Sequence, residues 1–520
     1  MPLGSYHHCW VTWWGTLFLG LFLGFFPKSR GQTPPDSRPN IVLILCDDMG
    51  WSDLGCYGGE IQTPHIDRLA REGLRFTHFY NNGKCTTTRA SLMTGLYPRE
   101  GRGPLLGQAM LTLAEALKMA GYQTAMSGKW HLGSQSPFRP IDRGFDDYYG
   151  LMDGACHYFE PTRPDPDFKQ HRVRVFAHND SPITSFEEGF YTTDAFSDQA
   201  CRQIMEMAAR PQPFFLHLAY TAPHYPLHAP AEVVARYQGK YLLGWEKLRE
   251  LRHRRQIELG LVDPGWKLPL DDPLVEPWGQ QAHPSWQAER MAVYAAMVDR
   301  MDQGIGKVLK TLRQAGVDRE TLVVFLSDNG GCSEVYAQDR MEFKPGSGDH
   351  YMTCGPGWAH AQNTPFRRFK TWMHEGGIAT PMIVRWPERI APNTVTQQMG
   401  HVMDFMPTFL ELAGASYPST YRGQDLIPLE GRSLLPVFHG RDMGWIPDLK
   451  WAYRGCRAIR QGDWKLVWDK AFKHWELYHL VHDRTEMTDL SLQYPDRVQA
   501  MAESWDFWAV HLGIEGPSLQ

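Results

Sequence analysis

The sequence predicts an α/β fold: a large mixed, mainly parallel sheet with helices on both faces, followed by a smaller C-terminal α+β subdomain. Three observations carry this. Between residues 40 and about 394, short apolar runs alternate with helical stretches of ten or more residues, the pattern of βαβ units. Several of those runs are apolar throughout, as expected of strands buried on both faces. From about residue 395 the alternation gives way to one helix, loops and short strands.

The elements follow in order. "PNIVLILCDD" is a buried strand ending in two acids, and "TPHIDRLAREG" is a helix with Thr63 as its cap and Gly73 as its stop. "LRFTHFY" alternates like a strand. "LTLAEALKMAGYQTAMSGKWHLG" reads as helix, glycine turn and strand. "DAFSDQACRQIMEMAARPQPFFLHLAYTAPH" and "AERMAVYAAMVDRMDQGIGKVLKTLRQAGVDRETLVVFLSDNGG" repeat that order. Residues 231–285, rich in charge, Trp and Pro, interrupt the pattern and read as an insertion near the site. Their basic run "RELRHRRQ" reads as a solvated helix face. "HVMDFMPTFLELAG", "RAIRQGDWKLVW" and "WELYHLV" supply the helix and strands of the C-terminal subdomain, taken as 395–520.

The 520 residues are 42% apolar and 21% charged, with a formal charge of -5, so nothing drives the whole chain toward nucleic acid. Cys9 to Phe26 is an apolar run without a charge, followed by "PKSRGQTPPDSRPN". This reads as a signal peptide over 1–31 and an exported chain with its catalytic domain at 32–394. The run is nearly long enough to stay as an uncleaved anchor. Nine cysteines without CxxC spacing imply no zinc site. Removing Cys9 leaves eight, an even count that hints at unassigned disulfides.

In open α/β sheets, ligands bind beyond the carboxyl ends of the strands. Asp47, Asp48, Asp328 and Asn329 are oxygen donors at two such ends, the donor type of a hard cation such as Ca²⁺ or Mg²⁺. Asp and Asn also suit the turns that end strands. Lys129 and His131 of "GKWHLG", if on a strand, face one way. His224 and His228 lie in the proline-stiffened "PHYPLHAP", and "FKTWMHEGGIATP" supplies Lys370 and Glu375. In "NNGKCTTTRASLMTGLYPRE", Cys85 precedes a short helix read from Arg89 to Thr94 and closed by Gly95 and Pro98. A metal-like acid cluster, several cations and a helix N-terminus suit hydrolysis of a sulfate or phosphate ester.

"CTTTRASLMTG" resembles the signature of the formylglycine-dependent sulfatases of arylsulfatase A type, in the alkaline phosphatase superfamily. "PNIVLILCDDMGWSDLGCYGG", "GKWHLG", "APHYPLHAP", "LSDNGG" and "KTWMHEGGIATP" resemble that family's other site motifs in the family's order. "DFMPTFLELAG", "GDWKLVW" and "ELYHLVHDRTEMTDLS" resemble its C-terminal part, so the resemblance runs from about residue 39 to 490. It implies an alkaline phosphatase-like sulfatase fold and a sulfuric ester hydrolase acting on a sulfated small molecule or saccharide. Cys85 would be converted to formylglycine by a sulfatase-maturing enzyme, its hydrate being the nucleophile. Ca²⁺, ahead of Mg²⁺, would bind Asp47, Asp48, Asp328, Asn329 and the residue-85 side chain. Arg89 and Lys129 would hold the hydrate, His131 would take a proton, and His224 and Lys370 would bind the sulfate and assist the leaving oxygen. His157 is the candidate for a further sulfate contact.

The family's usual modification signature is Cys-x-Pro-x-Arg. Here Thr87 stands in the Pro position, with Thr88 next, which leaves recognition by the maturing enzyme open. Two other readings remain: a phosphodiesterase or phosphonate hydrolase on the same scaffold, and a non-catalytic sulfoconjugate-binding protein in which Cys85 stays a thiol. Oligomeric state, exo or endo action and sulfation position are not legible.

Overall fold

The strand Asn40–Cys46 lies near the middle of a ten-stranded sheet and shows why the sheet is buried on both sides. Val42, Ile44 and Cys46 join one apolar core, while Ile41, Leu43 and Leu45 join another on the opposite face. Alternate side chains of a strand point to opposite faces, so a strand apolar throughout needs cover on both. This computed structural model describes residues 38–99, 105–444 and 447–514. The expected signal peptide at 1–31 lies outside the described residues.

Five strands in the centre run parallel, in the order Thr321–Ser327, Asn40–Cys46, Phe214–Ala219, Gln123–Gly128, Asp147–Leu151. Beyond Thr321–Ser327, Met382–Arg385 is antiparallel and leads to Leu74–Phe76 and Thr394–Thr396. At the other edge Phe176–His178 is also antiparallel. The mixed, mainly parallel sheet is therefore present. Helices Thr192–Ala208 and Pro284–Gln314 contribute to the core on one face; Cys85–Thr94, Leu113–Met119 and Phe405–Leu412 contribute to that on the other.

The structure corrects several local readings. "LRFTHFY" is not one strand: Leu74–Phe76 belongs to the large sheet, while Phe79–Tyr80 pairs with Gly400–His401. Thr63 precedes the helix Pro64–Arg71 but its hydroxyl donates to the Asp67 side chain instead of capping the backbone. The run "RELRHRRQ" lies in the helix Trp245–Glu258 and is only in part a solvated face: Arg254 and Arg255 are exposed, whereas Arg249 and Arg252 are buried. Arg249 donates to the carbonyls of Pro269 and Pro365. Arg252 pairs with Asp53 and Glu60 and so ties this helix to the loop after Asp48. Buried arginines need such partners, which sequence periodicity does not reveal. The hinted disulfides are absent: all eight cysteines among the described residues are free, seven of them buried.

The C-terminal subdomain is a four-stranded antiparallel sheet, Leu449–Tyr453, Cys456–Gln461, Trp464–Asp469 and His474–His479. One face joins the main core through Trp451, Ala458 and Val467. The other face, with Ile459, Leu466 and Leu477, is covered by Met501, Trp505 and Ala509 of the helix Pro495–Leu512. The proposed start at residue 395 falls within Thr394–Thr396, which is an edge strand of the large sheet. No helix among the described residues is long and apolar enough to cross a membrane.

Candidate active site

The register of the central strands brings four chain ends level. Cys46 lies opposite Ser327, Leu45 opposite Ala219, and Gly128 opposite Ala219. The next amides stay attached: Asp328 N–H donates to the Cys46 carbonyl at 3.1 Å, and Lys129 N–H to that of Ala219 at 2.7 Å. Asp47 N–H donates to the Ala222 carbonyl at 3.1 Å. Asp47–Asp48, Asp328–Asn329, Lys129–His131 and the segment reaching His224 thus emerge together at one edge of the sheet.

The acids and cations interlock there. Asp48, left-handed at φ 65°, accepts from Asn329 Nδ2 and Lys370 Nζ, each at 2.7 Å. Asp and Asn adopt that backbone region more readily than most residues. Asp328 Oδ2 accepts from Arg89 Nε and Nη2 at 3.1 and 2.8 Å, and its Oδ1 accepts from Asp48 N–H. Lys129 donates to Asp47, and the Lys129 carbonyl holds Arg89 Nη1 at 2.9 Å. Asp47, Asp48, Asp328, Asn329, Arg89, Lys129 and Lys370 are all buried. Burial, then the Asp328 charge, push the Asp47 carboxyl up to about 7. Burial also acts on Asp48, but Lys370 and Lys84 outweigh it and hold its carboxyl below the usual range.

Two buried oxygens in this group have no hydrogen-bond partner, Asp47 Oδ1 and Asn329 Oδ1. Buried polar atoms are normally satisfied, and unpaired oxygens among carboxylates are what a hard divalent cation takes. Asp47, Asp48 and His224 also present ligand atoms within 4.8 Å of one another. The expected metal-ligand residues therefore fit such an ion.

The helix carrying Cys85 and Arg89 begins four residues earlier than expected, as Cys85–Thr94, with Gly95 (φ 71°) ending it. Cys85 is its first residue and is buried. The loop before it is fastened by Asn82, whose N–H donates to Thr88 Oγ1 and whose Nδ2 donates to Ser91 Oγ. Gly83 is left-handed, and its carbonyl accepts from Thr371 N–H at 2.7 Å, beside Lys370. Thr87 Oγ1 donates to the Lys84 carbonyl at 2.9 Å. Cys85 lies within electrostatic reach of Lys84, Arg89 and Lys370.

Lys129 and His131 are not on a strand, because Gln123–Gly128 ends before them and His131 is left-handed at φ 61°. His131 still enters the site: the charges of Lys129, Arg89 and Lys84 act on it, and its Nδ1 is buried without a partner. Burial and then Lys129 hold the imidazole well below its usual pKa, so it is neutral. Burial and then Lys370 do the same to His224. His224 Nδ1 meets the Tyr225 carbonyl at 2.6 Å and so must donate to it; Nε2 lies 3.5 Å from Asp48 and faces the site.

The structure does not support His157 as a sulfate contact. Its Nε2 donates to the Gly348 carbonyl and its Nδ1 accepts from the Glu160 amide, so both nitrogens are spent. His228 is likewise engaged, through the Tyr158 amide and the His350 carbonyl. Glu375 holds the C-terminal sheet and not the site, accepting from Lys465 and Arg484. Sequence reasoning missed Lys84 and Glu334, whose ammonium and carboxylate lie 3.6 Å apart. Burial raises the Glu334 carboxyl, but Lys370 and Lys84 outweigh it and bring it to about 2. The position of Lys84 directly before "CTTTR" and of Glu334 three residues after "SDNGG" was the available signal.

Comparison with known proteins finds matches along most of the chain. The family model described as sulfatase matches residues 39–415, and that for the C-terminal part of N-sulphoglucosamine sulphohydrolase matches 366–504. An uncharacterised sulfatase of Schizosaccharomyces pombe is 33% identical over 92% of this chain and 94% of its own. The N-acetylgalactosamine-6-sulfatase of Rattus norvegicus is 31% identical over 78% and 68%. The solved structure of Ps i-CgsB in complex with k-i-k-neocarrahexaose superposes with a TM-score of 0.67, at 25% identity, over 91% of this chain and 93% of that one.

Proposed function

The chain belongs to the sulfatase family and is a sulfuric ester hydrolase; on that premise we propose that it releases inorganic sulfate from a sulfated sugar, with residue 85 working as formylglycine made from Cys85. The observation that carries this is the union, at one sheet edge, of a buried Cys85 opening a helix with Arg89, which is bound to Asp328, and the unpaired oxygens Asp47 Oδ1 and Asn329 Oδ1. The sugar reading draws on two similar proteins, one named for a sulfated amino sugar and one that binds a neocarrahexaose.

A formylglycine hydrate supplies two hydroxyls on one carbon, one to attack sulfur and one to expel sulfate afterwards, which neither a thiol nor a serine provides. A Ca²⁺ held by Asp47, Asp48, Asp328 and Asn329 would stabilise charge on the sulfate oxygens. Arg89, braced by Asp328 and the Lys129 carbonyl, and Lys129 itself hold the residue-85 side chain. Lys370 and His224 bind the sulfate. Neutral His131 accepts the proton of the second hydroxyl as the sulfated intermediate collapses to the aldehyde and sulfate leaves. His224 would deliver one from Nε2 to the leaving oxygen, its ring taking up a second proton from solvent once the anionic sulfate offsets the Lys370 charge that keeps it neutral, while the Nδ1 proton stays committed to Tyr225. Export, motivated by the uncharged run Cys9 to Phe26, would bring the chain to a maturing enzyme before it folds.

The test measures inorganic sulfate released from a panel of sulfated saccharides, with phosphodiesters alongside, and the mass of the peptide carrying residue 85. We expect sulfate release and a peptide lighter than its thiol form that reacts with carbonyl reagents. Active protein from its native host with only a thiol at residue 85 would sink the formylglycine reading and favour a different ester hydrolase.

A further inference from the structure

Beside the site stands an ammonium group that the reaction above does not use. Lys169 closes the short turn Asp167–Lys169 and is half-buried. Its Nζ lies 3.8 Å from the centre of the Tyr336 ring, 5.5 Å from that of Tyr225 and 5.6 Å from that of Tyr351. Phe168 stacks on Tyr336 and backs this cage. The hydroxyls of Tyr225 and Tyr336 both donate to Glu334, which turns their ring faces toward the lysine.

The other cations of this loop are neutralised, Arg172 by Asp153 and Arg174 by Asp165. Lys169 is not: among the described residues no carboxylate lies within 4.0 Å of its Nζ. Glu334 acts on it only from beyond that distance, and is itself paired with Lys84. Aromatic faces hold a cation without cancelling its charge. The lysine is therefore ordered in advance and free to meet an oxyanion.

Tyr225 connects this cage to the reaction site. The same ring that carries Lys169 has Lys370 Nζ 5.5 Å from its centre, and it follows His224 in the chain. The two ammonium groups thus share one ring and lie at most about 11 Å apart, within reach of one or two sugar units. We propose that Lys169 and its tyrosine cage form a subsite for a second anionic group, a sulfate or a carboxylate, carried by the substrate next to the ester being cleaved. This rests on the sugar-sulfate reading and narrows it to polyanionic saccharides.

The test is equilibrium binding to full-length protein carrying Cys85→Ala, so that no probe is consumed. Three probes are compared: N-acetylgalactosamine 6-sulfate, N-acetylgalactosamine 4,6-disulfate, and the 6-sulfate linked to glucuronic acid. We expect at least one doubly charged probe to bind more tightly than the monosulfate, and which one does so identifies the second anion. Lys169→Met should cut that preference roughly tenfold, the loss of one charge-assisted hydrogen bond. Lys169→Arg, which keeps the charge and stacks on tyrosine, should retain most of it and show that the loop is intact. Absence of any preference, or an equal preference in Lys169→Met, overturns the subsite. Failure of the sulfatase chemistry would appear elsewhere, as no sulfate release by unsubstituted protein that nevertheless prefers a doubly charged probe.

Discussion

Asp48 carries three duties at once. Its carboxylate accepts from Asn329 and Lys370, it lies 3.5 Å from His224, and its left-handed backbone turns it back toward Asp328. Asp47 Oδ1 and Asn329 Oδ1 remain unpaired beside it. We expect Ca²⁺ to stabilise metal-stripped protein by about 2.7 kcal/mol at a hundredfold excess over Kd, read as an upward shift of the melting temperature. Zn²⁺ should do less, because the oxygen donors are hard. The shift should vanish in Asp328→Ala; an undiminished shift there would remove Asp328 from the metal set. His224 offers a second expectation at this scale. If it protonates the leaving oxygen, His224→Ala should slow alkyl and sugar sulfates by about 10²-fold or more. Aryl sulfates with acidic leaving groups should suffer far less. Equal losses on both substrate types would argue against that role.

Among the elements, the helix Cys85–Thr94 has to begin at one particular residue. Thr87 is its third residue, so the Thr87 amide is among the first-turn donors that have no partner within a helix. Thr87→Pro therefore costs only the hydroxyl bonds to Lys84 and Asn82, about 1 kcal/mol. It should raise the formylglycine fraction if Thr87 is a weaker recognition residue than proline. Mass measurement of the residue-85 peptide decides this. At the far end, Trp505 is buried in the C-terminal core and its indole N–H donates to the Trp451 carbonyl at 2.9 Å. Trp505→Ala should cost about 3–5 kcal/mol and loosen the helix Pro495–Leu512. Hydrogen exchange localised to that helix would register it; unchanged protection would mean the helix docks by other contacts.

Across the molecule, one buried ionic cluster fastens the C-terminal sheet to the catalytic half. Glu375 accepts from Tyr80, Lys465 and Arg484, and Lys465 also reaches Glu486. Burial raises the Glu375 carboxyl, but Lys465 and Arg484 outweigh it and bring it to about 2, against 4.5 ordinarily. A depressed carboxyl stabilises the fold fully above its unfolded pKa. That stabilisation is lost as pH falls from 4.5 through about 2. We therefore expect the unfolding free energy to drop across that window. Glu375→Gln should flatten the drop and cost about 3–5 kcal/mol at neutral pH, where it leaves Lys465 and Arg484 buried and underpaired. An acid profile identical in the two proteins would show that Glu375 does not control it.

What the sequence by itself determined is whatever depends on neighbours in the chain. Apolar runs ending in acids marked strands and their carboxyl ends, because local pattern and residue type carry that information, and the family resemblance carried by the motifs around Cys85, Lys129, His224, Asp328 and Lys370 implied one site. Tertiary structure alone decided which charges were spent. Arg249 and Arg252 look like a wet helix face in sequence but are buried, since their partners lie up to about two hundred residues away. His157 and His228 look as available as His224, yet backbone groups from distant loops satisfy them. Lys129 and His131 share the site through a left-handed turn and not through strand alternation. The cage around Lys169 joins residues 169, 225, 336 and 351, and no pattern along the chain announces it. Burial and charge pairing depend on position in space, and in a sheet that crosses the chain many times, spacing along the sequence does not encode them.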